Sequence, residues 1–195
     1  MPKNRLTFHP LTRERWPDLE KLFGARGACG GCWCMYWRLP RSEFDRGRGE
    51  RNRRALRRLA RAGRAPGLLA YRGAEPVGWC AVGPREDFPT LGRSRTLRPL
   101  DDRPVWSVVC FFVQRGERGR GVSVSLLKAA REHVRKSGGE VLEGYPVQPP
   151  GDRMPDVFAW SGLISAFEKA GFRETARPSR SRAIMRIRIG RRKRS

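Results

Sequence analysis

The chain has 195 residues, with 42 Lys and Arg against 19 Asp and Glu, and a net charge of +23. This length suits one domain with a core of its own, and no apolar run approaches the ~20 residues that span a membrane as a helix. The opening residues, MPKNRLTFHP, lack the apolar stretch of a secretory signal. We therefore expect a cytoplasmic protein with no membrane partner, and its five cysteines, an odd number, fit a reducing compartment better than a disulfide framework.

The positive charge raises nucleic acid as a partner, because binding phosphates requires clustered Lys and Arg. Nearly all the cationic residues are arginine, however, and a GC-rich coding bias explains that ratio as well as selection for phosphate does. Nucleic acid is therefore a rival partner and not the favoured one. The charge should in any case attract polyanions to the protein.

The first part of the chain predicts a strand, two helices and a hairpin. Residues 6–9 have a short strand pattern, and Thr12 is placed to cap the helix that follows. The charged stretch at residues 41–64 carries a thin apolar stripe and predicts one surface helix. Residues 67–83 predict a hairpin with its turn at residues 73–76, and a polar, Pro-rich connection over an active site is expected from residue 85 to residue 104.

A cysteine-rich segment, ARGACGGCWCMYWRL, lies between the two predicted helices at residues 25–39. The spacing of Cys29, Cys32 and Cys34 raises a zinc site, which would need a fourth ligand. The candidates for that ligand are His9, His133, Cys80 and Cys110. The last two lie in predicted buried strands, where cysteine usually packs as a small apolar residue. We expect no metal, and the three thiols are left as packing groups, pocket lining or a reactive thiol.

The most regular pattern runs from residue 105 to residue 147. VWSVVCFFV, whose only polar member is Ser107, predicts a strand buried on both faces. The basic turn QRGERGRG follows, and then a helix with Leu126, Leu127, Ala130 and Val134 on one stripe. Glycines end this helix, and residues 140–147 predict the next strand. Backbone N–H groups at the start of such a helix suit an anionic pyrophosphate.

Three phosphate-binding templates can be compared with the turn. Gly116-x4-Gly121-Val122-Ser123 has the spacing of a Walker A loop, but Val122 stands where the lysine is needed. A dinucleotide fingerprint that starts at Gly119 would need a glycine where Val124 stands. The third template is the acetyl-coenzyme A (acetyl-CoA) loop of the GNAT acetyltransferase superfamily, Arg/Gln-x-x-Gly-x-Gly/Ala. Residues 118–123, RGRGVS, resemble this loop, with Ser123 in place of the final small residue.

A later segment resembles the same family. FEKAGF, at residues 167–172, is similar to the GNAT helix that ends in Tyr-Glu-Lys-x-Gly-Phe before a strand, and the likeness extends from residue 76 to residue 189. The resemblance implies an α/β (α+β) fold with a mixed, centrally splayed β-sheet flanked by helices. We expect a single domain at residues 1–190 that includes a helix at 161–170 and a last strand at 183–189. A basic tail at residues 191–195 is expected to be disordered.

The resemblance also implies a binding mode for acetyl-CoA. In this family the fourth and fifth strands, here residues 105–113 and 141–147, splay apart and admit the pantetheine arm. Main-chain groups of residues 111–113 would pair with that arm, and the turn would hold the pyrophosphate. The cofactor-binding residues implied are Phe111, Phe112, Val113, Arg118, Gly119, Arg120, Gly121, Val122 and Ser123.

Acetyl transfer to an amine needs a base, an oxyanion donor and a proton for the departing thiolate. Glu143 is the candidate base, with Tyr145 on the same strand face, and a backbone N–H near Val113 is the candidate oxyanion donor. Loop alternatives for the base are Glu86, Asp87, Asp101 and Asp102. The family's general-acid tyrosine aligns with Phe167 and its asparagine with Trp160, so either Tyr145 or Ser107 donates the proton, or the thiolate leaves unassisted. An inactive binding relative is a further alternative.

In GNAT folds, the segment that corresponds to residues 25–39 forms one wall of the acceptor site. Trp33, Tyr36 and Trp37 are placed there to enclose an organic cation, or else to bury a helix. The sequence thus predicts an acetyl-CoA-dependent N-acetyltransferase for a primary amine of a small molecule. The alternatives are an acetyltransferase for a protein or an aminoacyl-tRNA, and a nucleic-acid-binding module on a non-catalytic fold. Many relatives pair, which leaves a homodimer open.

Overall fold

The computed structural model describes residues 5–149 and 159–190. The strands are β1 Leu6–Pro10, β2 Gly67–Arg72, β3 Glu75–Pro84, β4 Trp106–Val113, β5 Val141–Gly144, β6 Arg173–Ser179 and β7 Arg182–Arg188. The helices are α1 Trp16–Phe23, α2 Arg41–Arg46, α3 Glu50–Arg61, α4 Pro89–Arg93, α5 Val122–Lys136 and α6 Ile164–Lys169. Short 3-10 turns occupy Arg85–Asp87 and Arg115–Glu117.

The strands form one sheet in the order β1-β2-β3-β4-β5-β7-β6. Strands β4 and β5 are parallel and are connected through α5, whereas the other neighbouring strands are antiparallel. A mixed sheet with helices on its faces confirms the fold class that the sequence predicted.

Both faces of the sheet are covered by apolar cores. On one face, α1 and the segments that follow it pack over Leu69 and Trp79. On the other face, α5 and α6 pack over Leu68 and Leu142. Because β3 and β4 contribute side chains to both cores, their sequences are almost continuously apolar, as expected for strands with no solvent-facing side.

The two parallel strands separate after only a short pairing. The last paired residues are Val108 and Gly144, and β4 then continues to Val113 while β5 ends. The buried Phe167 ring lies against Gly144, where an added Cβ would come within 2.1 Å of the ring. Beyond the separation, residues 159–163 approach β4, and the Phe111 N–H donates to the Trp160 carbonyl at 2.6 Å. A cleft therefore opens along the last residues of β4.

Several boundaries differ from the sequence prediction. Helix α1 begins at Trp16 with Arg15 as its N-cap residue, so Thr12 does not cap it. The stretch predicted as one helix forms α2 and α3, since Gly49 adopts φ +85° between them. Strand β5 ends at Gly144, before Tyr145, because the chain leaves β4 there. Strand β6 was not predicted, because its exposed polar residues have no apolar alternation.

The predicted connection at residues 85–104 packs on the end of the cysteine-rich segment. Thr90 N–H donates to the Trp37 carbonyl at 3.2 Å, and the Thr90 hydroxyl donates to the Leu39 carbonyl at 2.9 Å. The buried Arg38 guanidinium lies 3.4 Å from the Asp87 carboxylate. These contacts fix the position of residues 36–39 relative to the sheet.

In the part of the chain that the structure describes, no helix has the length and apolarity needed to cross a bilayer. The predicted basic tail at residues 191–195 lies outside the described residues.

We predict that Gly144→Ala destabilises the protein, because the new methyl group would collide with the buried Phe167 ring. Overpacking of this kind costs about 1–3 kcal/mol, which lowers Tm by about 2–10 °C for a domain of this size. The control is Gly92→Ala, since an added Cβ at Gly92 in α4 meets nothing within 4 Å. Equal melting temperatures for the two variants would contradict this account of the strand separation.

Candidate active site

A cavity of about 880 Å³ occupies the cleft beside β4. One end is lined by the glycine-rich turn and the start of α5, and the other by the cysteine-rich segment and α2. From the predicted cofactor-binding set, the lining includes Phe111, Phe112, Val113, Arg118, Gly119, Gly121, Val122 and Ser123. The structure therefore brings two separately predicted sites, for cofactor and for acceptor, into one continuous space.

The glycine-rich turn presents backbone N–H groups to this cavity. Gly119 and Gly121 adopt φ +74° and +76°, and added Cβ atoms there would meet nothing within 4 Å. Glycine is therefore favoured at these positions by the backbone conformation and not by close packing within the protein. The first bond of the α5 ladder runs from Ser125 N–H to the Gly121 carbonyl at 3.0 Å, which leaves the preceding N–H groups of the helix start to other partners.

A buried carboxylate fixes the shape of the turn. Glu117, 9% exposed, accepts from Arg72 at 2.6 and 3.0 Å, and Arg120 lies 3.2 Å away. The hydrogen bonds from Arg72 hold the pKa of Glu117 below its ordinary value, against the effect of burial. Arg120 thus points to Glu117 and is not part of the cavity lining. Arg120 therefore stabilises the turn through its contact with Glu117.

The free edge of β4 is only partly available to a ligand. The Phe111 N–H already donates to the Trp160 carbonyl. The Val113 carbonyl accepts from Arg118 Nε at 3.1 Å. Gln114 N–H points the other way, to the Val77 carbonyl of β3. Because successive residues of a strand face opposite edges, the Val113 N–H points into the cleft. It is the strand donor that this geometry offers to a ligand.

The aromatic residues predicted for the acceptor wall are divided between two places. Tyr36 and Trp37 line the cavity, as predicted, and are half-buried. Trp33 does not: it is 5% exposed and stacks on Trp16 in the core, with ring centroids 5.9 Å apart. Its indole also lies over Gly27, where an added Cβ would be 2.2 Å from Nε1. Trp33 is thus a packing residue, which corrects its predicted role in substrate binding.

Four thiols line the same cavity, from Cys29, Cys32, Cys34 and Cys110. Cys34 Sγ lies 3.4 Å from Cys110 Sγ and accepts from Trp79 Nε1 at 3.0 Å. Its hydrogen bond to Cys110 and its burial raise the pKa of Cys34 well above the ordinary thiol value. All five cysteines are free. Within residues 5–149 and 159–190, no three His, Cys, Asp or Glu side chains are clustered so that they could hold a metal ion.

Glu143 and Tyr145 lie apart from the cavity, in a buried polar network. Glu143, 1% exposed, accepts from Arg85 at 2.8 Å, Arg186 at 2.6 Å and the Tyr145 hydroxyl at 2.6 Å. Burial and the Glu143 charge raise the pKa of Tyr145, which stays a neutral phenol. With three donors on its two oxygens, Glu143 is poorly placed to accept a proton from an amine in the cavity. Glu143 and Tyr145 therefore belong to a buried network outside the cavity lining, and their predicted roles of base and proton donor stay predictions that this geometry does not favour.

The structure also shows where the other predicted candidates for proton transfer lie. Phe167 is fully buried between Phe111 and Phe172 and carries no donor. Ser107 is bonded to Tyr145 within the buried network, at 2.9 Å. Among the described lining residues, the hydroxyl groups are those of Tyr36 and Ser123.

Sequence reasoning missed three residues of the acceptor end, namely Phe44, Arg48 and Trp160. Phe44 and Trp160 contact Tyr36, with ring centroids 5.3 Å apart in each pair. One signal was usable in advance: Trp160 stands where the resemblance to the family places an asparagine. Phe44 and Arg48 lie in a charged stretch that shows no site pattern.

Comparison with known proteins gives a consistent result. The model of the Acetyltransferase (GNAT) family matches residues 33–155. A search of curated proteins found none that matches this chain in sequence. Among solved structures, YncA of Salmonella typhimurium with its cofactor acetyl-CoA is 14% identical, with a TM-score of 0.56 and coverage of 98% of each chain. At this identity the likeness shows the fold.

Two further structures have the same fold. The PaiA N-acetyltransferase of Thermoplasma acidophilum, in complex with coenzyme A, is 14% identical, with a TM-score of 0.52 and coverage of 94% of this chain and 99% of that one. A GNAT-family acetyltransferase of Listeria monocytogenes is 7% identical, with a TM-score of 0.56 and coverage of 95% and 96%.

We predict that Cys29 is the fast-reacting thiol in the native protein, because it is exposed whereas Cys34 and Cys80 are buried with raised pKa values. Titration with Ellman's reagent at pH 8 should show one fast thiol, and all five after denaturation. Cys29→Ser should remove the fast phase, whereas Cys80→Ser should leave it intact. A fast phase that persists in Cys29→Ser would show that the thiol cluster beside β4 is the reactive one.

We predict that Glu143→Gln costs about 3–5 kcal/mol of unfolding free energy, because it leaves the largely buried Arg85 without its anion and leaves Arg186 with Asp101 alone. Glu132→Gln is the control, since its pair with Arg135 is exposed to solvent and its loss should leave the unfolding free energy nearly unchanged. Urea denaturation measures both. A loss below about 1 kcal/mol in Glu143→Gln would contradict the structural role.

Proposed function

The chain belongs to the GNAT acetyltransferase family, and we propose that it is an acetyl-CoA-dependent N-acetyltransferase whose acceptor is a primary amine of a small molecule. The observation that carries this proposal is the continuity of the cavity. Its lining passes from the glycine-rich turn, along β4, to a half-buried aromatic wall. A cofactor held at one end can therefore meet an acceptor held at the other.

The residues present fit acetyl-CoA. The N–H groups at the start of α5 suit a pyrophosphate, and cationic Arg118 and Lys169 line the same cavity. The cleft beside β4 has the elongated, largely apolar lining that a pantetheine arm requires. When bound, acetyl-CoA supplies the acetyl group as a thioester. The YncA and PaiA structures hold acetyl-CoA and coenzyme A in the same fold, which supports the assignment.

Within this site we assign the Val113 N–H to the oxyanion. Transfer forms a bond between the acceptor nitrogen and the acetyl carbon and breaks the carbon–sulfur bond. The carbonyl oxygen gains negative charge on the way, and a fixed backbone donor stabilises it. Val113 is suited to this because its N–H faces the cleft while its carbonyl is held by Arg118.

Two protons move in the same reaction: one leaves the acceptor nitrogen and one reaches the departing sulfur. The described lining at the acceptor end contains no carboxylate, so we assign the first proton to water. The Tyr36 hydroxyl and the Cys110 thiol line the cavity and are candidates for donating the second.

The walls of the acceptor end support a small acceptor over a macromolecular one. Residues 28–37 form one side, and Ala159, Trp160 and Gly162 form another. The connection at residues 85–104 braces the first wall through Thr90 and Asp87. A protein or tRNA substrate would need an open groove in place of these walls.

We predict that Gly121→Ala raises the KM for acetyl-CoA about tenfold, which corresponds to ~1.4 kcal/mol. The substitution strains a backbone at φ +76° and places a methyl group where the pyrophosphate would approach. Gly138→Ala is a matched control, since Gly138 has φ +81°, nothing within 4 Å, and lies past the opposite end of α5. Release of coenzyme A with an amine panel provides the assay.

The two variants should lose similar stability, so any difference in KM reports the turn and not the fold. Equal KM values in the two variants would contradict the assignment of the turn. For the wild type, acetyl-CoA at 100 times its Kd should stabilise the protein by about 2.7 kcal/mol. No shift in Tm and no coenzyme A release with any amine would overturn the proposed function.

A further inference from the structure

We infer that the acceptor carries its amine on an aromatic or apolar body with no second positive charge, and that Arg48 favours a negative group at the far end of that body. The inference rests on the proposed function, because it concerns the acceptor end of the same cavity. Its evidence is separate, however, since it comes from the aromatic wall and from the charges placed on that wall.

Tyr36 is the centre of the aromatic wall. Its ring centroid lies 4.9 Å from that of Trp37 and 5.3 Å from those of Phe44 and Trp160. Trp37 and Trp160 also contact one another, at 6.1 Å. Three of these rings are only half-buried, so a flat or apolar body placed against them would remove their exposed faces from water.

Guanidinium groups already lie over the faces of this wall. Arg41 is 5.4 Å from the Tyr36 ring centroid, and Arg48 is 5.1 Å from that of Phe44. An aromatic cage for an ammonium group needs its ring faces free for the ligand. Here two of the four rings, Tyr36 and Phe44, already interact with the protein's own cations. The wall therefore recognises an apolar surface better than a positive charge.

The charges of the cavity point the same way. Among the described lining residues the one carboxylate is Glu117, which is bonded to Arg72 and belongs to the turn. Within the part of the chain that the structure describes, the acceptor end offers Arg48 and no anion. An acceptor with a second ammonium group would thus meet repulsion with no compensating partner, and like charges in a partly desolvated site cost affinity.

Arg48 is held in place, so its charge is a fixed feature of the site. Its Nε and Nη2 donate to Asp45 Oδ1 at 3.2 and 3.1 Å. Its Nη1 lies over Gly30, where an added Cβ would be 3.3 Å away. The side chain remains 48% exposed. Asp45 offsets part of the charge, so the expected preference for an anionic acceptor is modest.

The test is a series of three acceptors that differ only at the far end of one ring: 4-(aminomethyl)benzoate, benzylamine and p-xylylenediamine. We expect kcat/KM to be highest for the benzoate, about threefold lower for benzylamine, and at least about tenfold lower again for the diamine. The diamine has two amines, and a larger fraction of each is neutral than in benzylamine. Both factors should raise its kcat/KM, so a lower kcat/KM for the diamine would be stronger evidence of repulsion in the site.

Arg48→Gln should remove the advantage of the benzoate, so that the ratio of kcat/KM for the benzoate to kcat/KM for benzylamine falls from about three to about one. Arg46→Gln is the control, since Arg46 is exposed at the end of α2 and does not line the cavity. It should keep the wild-type order of all three acceptors.

The diamine reacting as well as benzylamine would overturn the inference, as would an unchanged benzoate preference in Arg48→Gln. Acetyl-CoA binding with no turnover of any member of the series would overturn it too, while leaving the cofactor half of the proposed function intact. If the wild type neither binds acetyl-CoA nor turns over any acceptor, the proposed function itself is refuted.

Discussion

The separation of β4 from β5 is the constraint on which the rest of the molecule depends. Two parallel strands normally pair along their whole length, but here the Phe167 ring occupies the space beside Gly144, and β5 ends there. The chain then turns away through Tyr145, and the Trp160 carbonyl returns to accept from the Phe111 N–H. As a result the Val113 N–H of β4 faces a cleft and not a strand. The cavity and its proposed chemistry follow from that opening.

Charged side chains are found in two separate places, a buried polar network and the lining of the cavity. Glu143 accepts from Arg85, Arg186 and Tyr145 in a largely buried network, and Arg186 also pairs with Asp101 at its edge. The cavity is different, because its cations stand at the turn and at the outer edge of the aromatic wall. The cations at the turn suit the phosphates of the proposed cofactor. The aromatic wall suits an acceptor with no further positive charge.

The parts of this structure encoded by short stretches of sequence were predictable. The apolar strand, the glycine-rich turn and the periodic helix lie next to one another in the chain, so residues 105–137 predicted the cofactor end. The acceptor end was only partly predictable, because Tyr36, Phe44 and Trp160 meet through the fold and not through spacing. The polar network around Glu143 was not predictable for the same reason: its partners Arg85 and Arg186 lie 58 and 43 residues away. Trp33 resembles its aromatic neighbours in sequence, and only the packing on Trp16 separates it from them.

Amide hydrogen exchange at Val113, measured by NMR with and without acetyl-CoA, tests the central claim most directly. The Val113 N–H faces an open cleft and is the proposed donor to the thioester carbonyl of the bound cofactor. Exchange at Val113 should therefore slow strongly when acetyl-CoA binds, whereas exchange at Phe111, already bonded to Trp160, should change little. Exchange at Val113 that is slow in the free protein and unaffected by acetyl-CoA would contradict this role.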